Sequence, residues 1–285
     1  MTPRDIGRPI TVGVADKQHA ALSFAAEEAR LSECDIRVVH SYIVPPSPPQ
    51  VMGTSYGFDI DGSFRESGRE VLTDATDFLA QLDGGLVVHP VLERGPAAMI
   101  LIGTSATSRL LVLGPDDAVP WYSRLFQSRV ARRLSDDAGC PVVVVPDTWV
   151  AGRSSRGVTL LLDSQTVAHG PLRFAFEHAS RYHDVLNIDH IHAADGSHEE
   201  AVLWQDMLRL VESWRATYPQ VWVNTTVASG DADPTTVATL ERTGMLVLGR
   251  PHEHHAIAAL NRSLARSVIE HASCPVAVVP ADYDV

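Results

Sequence analysis

Short apolar runs and longer amphipathic stretches take turns along this chain. Pro9–Val14 (PITVGV) has strand length, and Lys17–Glu33 behind it sets Ala21, Phe24, Ala25 and Ala29 at helical spacing. Ile36–Ser41 predicts a second strand. Residues 43–63, rich in Pro, Gly and Ser and without periodicity, read as a loop. Phe64–Gln81 carries a helical stripe of Val71, Leu72, Ala75, Phe78 and Leu79, and Leu86–Leu92 predicts a strand. Pro96 opens a helix that ends near Ser108. Leu110–Gly114, a helix from about Ser123 to Asp137, and Val142–Val145 complete the series.

The alternation then starts again. VTLLLD (158–163) is a strand, Val167–Tyr182 a helix and VLNIDHIH (185–192) a strand. Glu199–Tyr218 predicts a helix with Leu203, Met207, Leu210, Val211 and Trp214 on one face. Val221–Ala228 is a strand, Pro234–Arg242 a helix and Met245–Gly249 a strand, followed by an amphipathic helix and a last apolar strand. Strands alternating with helices predict an α/β fold, with a parallel sheet covered by helices on both faces.

The second series repeats the first. LVLGPDDAVPWYSRLFQSRVARRLSDDAGCPVVVVP (111–146) and LVLGRPHEHHAIAALNRSLARSVIEHASCPVAVVP (246–280) share one plan. Gly249 follows Gly114 by 135 residues, Ser263 follows Ser128 by 135, and Cys274 follows Cys140 by 134. So steady an offset indicates internal duplication. The expected domains are 1–146 and 158–285, each an open five-stranded parallel sheet, joined by a polar linker at 147–157. Val158 follows Ile10 by 148, so the first copy is longer by about 14, and its Pro-rich loop is the place for the excess.

Charge and cysteine content narrow the class. The net charge of −12 disfavours nucleic-acid and anionic-membrane partners, which need concentrated Lys and Arg. The first residues lack the apolar run of a signal peptide, and no window has the length of a membrane span. Cys34, Cys140 and Cys274 form no CxxC and read as small buried hydrophobes in a cytoplasmic protein.

Ligands of open parallel sheets bind beyond the carboxyl ends of strands, where the strand order reverses. A Gly at a strand end admits a phosphate to the backbone, and a following helix N-terminus holds an anion. Gly114 with Ser128, and Gly249 with Ser263, mark two candidate cradles. The duplicated LVLG, the Ser-led helix and the closing CPVxVVP resemble the universal stress proteins, in the tandem two-domain form found in actinobacteria.

That resemblance implies a flavodoxin-like or Rossmann-like fold and a stress or dormancy role exercised through binding or regulation. It also implies a nucleotide loop of Gly, two residues, Gly, nine residues, Gly, then Ser or Thr, with an Asp ending the first strand beside the adenine. In the first copy Gly114 and Ser128 match that pattern, whereas Asp117 and Gln127 stand at the other glycines and Pro115 removes a backbone donor. Ala15 takes the strand-end position, with Asp16 one residue on. In the second copy Asp163, Gly249 and Ser263 match, while His252 and Arg262 replace glycines; Arg262 is suited to pair with an anion. The expectation is weak or absent ATP binding, with the second copy as the alternative seat of an adenine-nucleotide sensor.

Other features read as ordinary surface or core. HEHH (252–255) lacks metal-ligand spacing. His190 and His192 alternate on one strand face, and Arg132–Asp136 and Arg133–Asp137 are helical i,i+4 pairs. Trp204 and Trp214 are expected in packing. With no GxSxG, Walker loop or HExxH, no catalysis is expected, and slow ATP hydrolysis ranks last. The β-branched runs VVVV (142–145) and VAVV (276–279) would form cohesive edges, and the resemblance implies that final strands pair. Such pairing would give a pseudo-dimer within the chain, with a homodimer and an unidentified protein partner beyond it.

Overall fold

The computed structural model describes residues 7–44, 59–114, 134, 137–152, 157–163, 169–192, 198–229, 243–250 and 274–283. The first half contains β1 (Ile10–Gly13), α1 (His19–Ser32), β2 (Ile36–Tyr42), α2 (Ile60–Leu82), β3 (Val88–Arg94), α3 (Ala97–Ser105), β4 (Leu110–Leu113) and β5 (Val142–Val144). The second contains β6 (Val158–Asp163), α4 (His169–Tyr182), β7 (Leu186–His192), α5 (His198–Thr217), β8 (Val223–Ser229), β9 (Met245–Gly249) and β10 (Val276–Val279).

All ten strands join one sheet in the order β3-β2-β1-β4-β5-β10-β9-β6-β7-β8. Neighbours within each half are parallel, which is why β4, β5, β9 and β10 are apolar along both faces. At the centre β5 and β10 run antiparallel, pairing Val144 with Val276, Val143 with Ala277 and Val142 with Val278. The two halves are thereby related by an approximate two-fold beside Val143 and Ala277. Pairing covers the two β-branched edges that would otherwise be open.

α1, α2, α4 and α5 contribute to a core on one sheet face, built on Ile10, Val12, Phe24, Leu160 and Phe176. Leu101 of α3, with Leu134 and Ala138, packs on the other face against Leu111, Val144 and Leu246. Trp204 and Trp214 pack at the margin of the first core, Trp214 6.2 Å from Phe176 between ring centres.

Equivalent details recur in both halves. α1 ends at Glu33 (φ 52) and α4 at His183 (φ 54), left-handed caps 150 residues apart. Thr11 bonds Ser108 at 2.7 Å inside the first half, and Thr159 bonds Thr243 at 2.6 Å inside the second. Trp149 packs edge-on against Phe24 at 5.4 Å, and Tyr283, 134 residues later, against Phe174 at 6.0 Å.

Some expected boundaries shift. α2 starts at Ile60 rather than Phe64, because the Asp59 carboxylate accepts the Gly62 N–H at 2.8 Å and caps the helix. The Pro-rich loop therefore ends before 60, and residues 45–58 of it lie outside the described residues. β3 runs to Arg94 because β2 pairs with it as far as Tyr42, and Pro90 is tolerated because β3 is an edge. Within the expected linker, 147–152 holds the turn that carries Trp149 onto α1. The helices expected at 123–137, at 234–242 and before Cys274 lie outside the described residues, apart from helical Leu134 and Asp137.

Candidate functional site

In each half the strand order reverses between the first and fourth strands, β1 and β4 or β6 and β9, so each half has one crevice at the carboxyl ends of that pair. Pairing sets Gly13 beside Leu113 and Leu161 beside Leu248. Ala15 and Asp163 thus occupy the same place in their halves, two residues past those pairs, and Gly114 and Gly249 stand one residue past them. The one-residue displacement of Asp16 is therefore a real difference in position.

The first crevice holds a side chain of its own. Gln18, just before α1, lies on Gly114: a Cβ there would meet Gln18 Cγ at 2.9 Å and Cδ at 3.0 Å. Its Oε1 accepts the Ala15 N–H at 3.2 Å, occupying a strand-end donor that a ligand would seek. Beside it, His40 Nδ1 lies 2.9 Å from the Val14 carbonyl. Gln18 carried no signal in the sequence.

At the second crevice, among the described residues, a Cβ on Gly249 would meet only Pro171 Cγ, at an ordinary 3.4 Å. Asp163 ends β6, paired with Ile191 of β7. After Gly249, Arg250 turns away and donates from Nη2 to the Ala138 carbonyl of the first half at 2.5 Å. The structure brings Asp163 and Gly249 to one end of neighbouring strands. Ser128, Arg262, Ser263, Asp117, Gln127 and His252 lie outside the described residues.

A charged cluster lies between the halves. Glu28 of α1 is 1% exposed and meets His178 Nδ1 at 3.1 Å and Arg181 Nη1 at 2.5 Å, both from α4. Arg181 also donates to Ser32 at 3.0 Å. Burial alone would raise the Glu28 carboxyl, but the charges of His178 and Arg181 outweigh it and hold it down at about 2. Burial pushes the Cys140 thiol up to about 12, as expected of an inert buried cysteine. No three His, Cys, Asp or Glu gather for a metal among the described residues, and no described helix is long and apolar enough to cross a membrane.

The universal stress protein family model matches residues 157–280. The second half of the chain is thus a universal stress protein domain. Among solved structures, it is similar to a universal stress protein from Archaeoglobus fulgidus DSM 4304, at 15% identity and a TM-score of 0.70. That match covers 95% of this chain and 96% of the other. A functionally unknown protein from Pseudomonas aeruginosa PAO1 matches at 14% identity and a TM-score of 0.56, covering 96% of this chain and 92% of its own. No curated protein matches the sequence. At such identities the two structures speak for the fold, and each spans both halves of this chain.

Proposed function

We propose that the whole chain acts as a universal stress protein in a stress or dormancy response by binding and regulation, as a cytoplasmic scaffold for a protein partner, and that ATP binding is weak or absent. The observation that carries this reading is the first crevice, where Gln18 covers Gly114 and takes the Ala15 N–H while no carboxylate stands at the strand end. Pro115 and Asp117, which follow Gly114 in the sequence, remove a donor and add negative charge. Catalysis finds no support in the sequence motifs, and a binding role needs none.

A second reading is an adenine-nucleotide sensor that uses the second half alone. The register that sets Asp163 and Gly249 at one strand end favours it, with Arg262 and Ser263 as the residues that would complete the cradle. Calorimetric titration of the intact chain with ATP separates these readings, with Asp163→Ala alongside. Absence of heat supports the scaffold. One site per chain, lost in the variant, supports the sensor, and two sites would sink both.

A further inference from the structure

We propose that the Glu28–His178–Arg181 cluster is a pairing code: the junction face of the first half accepts the second half and refuses a second copy of itself. Across a two-fold, equivalent residues meet each other. α4 repeats α1 with an offset of 150, so that Phe24 corresponds to Phe174, Ala25 to Ala175, Ala29 to Ala179 and Glu28 to His178. Glu28 accordingly meets its own counterpart, 3.1 Å away.

The apolar strands of the junction differ at one position, Val143 facing Ala277. β5 offers Val142, Val143 and Val144, β10 offers Val276, Ala277 and Val278, and a β5–β5 pair would preserve the same central register. Helix positions 24, 25 and 29 are identical to their counterparts 174, 175 and 179. The charges do discriminate. Two first halves joined this way would set Glu28 against Glu28, two buried carboxylates with no cation from α4. Two second halves would set His178 against His178 with Arg181 doubled and no acid from α1. In the mixed pair alone, the buried carboxylate finds both partners. Arg181 replaces Leu31 and Tyr182 replaces Ser32 at equivalent positions, so the cationic lining belongs to α4 only.

The test uses the full chain and a double-mutant cycle in urea, with Glu28→His, His178→Glu and the exchanged double. Each single substitution is expected to lower the folding equilibrium about a hundredfold or more, since it strands a buried charge. The exchange is expected to regain at least about tenfold over the product of the singles, because the carboxylate moved onto α4 would sit three residues from Arg181 on one helix. Simple multiplication of the single effects would overturn the code and leave a packing position. A second measurement reads the refusal itself. Glu28→Gln/His178→Gln, refolded from urea at high concentration, is expected to form chain-to-chain species absent from wild type in light scattering. Identical masses for the two proteins would overturn it.

Discussion

At the carboxyl ends of its strands the first half presents Ala15, Gly114 and a glutamine lying across them, whereas the second presents Asp163 and a Gly249 with only Pro171 near it among the described residues. Beneath these crevices the halves match closely: the same strand order, left-handed helix caps at equivalent positions, a buried hydroxyl pair in each and an aromatic docked after each last strand. Duplication preserved what holds the sheet and its helices together and let the crevices diverge. A crevice can change without unfolding the domain, because its residues stand at strand ends and beyond them, outside the core.

Three kinds of substitution sharpen that contrast, from the largest expected effect down. Gly170 has Ala20 as its first-half counterpart, yet a Cβ at 170 would clash with the Pro280 carbonyl. Gly170 also donates its N–H to Ala281 at 3.0 Å, seating the C-terminal turn on α4. Gly170→Ala is therefore expected to cost about 1–3 kcal/mol by overpacking, read in urea denaturation. An unchanged midpoint would show that the turn is not held there.

Thr11→Val and Thr159→Val each remove one buried hydroxyl–hydroxyl bond, to Ser108 and Thr243 respectively, while Ser108 keeps its bond to the Thr104 carbonyl at 2.8 Å. Each is expected to cost about 0.5–1.5 kcal/mol, and similar losses in the two halves would confirm that the pair is common scaffold. The smallest effect is expected for Gln18→Ala. It removes one exposed hydrogen bond and should change stability by less than about 1 kcal/mol in thermal melts, marking Gln18 as an occupant of the crevice rather than a support.

Much of the fold was legible because parallel strands buried on both faces must be written as apolar runs, and the runs at 110–114, 142–145, 158–163 and 245–249 became β4, β5, β6 and β9. β5 and β10 meet as the resemblance implies for final strands, on the cohesive edges that their β-branched runs predict, and the structure adds that they run antiparallel. The true start of α2 depended on one capping carboxylate, Asp59, inside a stretch that composition alone calls loop. Trp149 looked like linker, although its offset of 134 from Tyr283 was a usable signal. Glu28 carried a similar sign, a carboxylate on the buried face of an apolar helix, aligned by the repeat with His178. Gln18 offered none, since its role arises only when the end of β4 comes beside the start of α1.

On the proposed reading the first crevice is closed to a nucleotide, and the second is the alternative seat for one. Soaking crystals of the intact chain in saturating ATP puts both crevices to the test at once. The expected result is no nucleotide density over Gly114, with Gln18 in place, and either none or one molecule beside Asp163. Density for a nucleotide over Gly114, with Gln18 displaced, would contradict it.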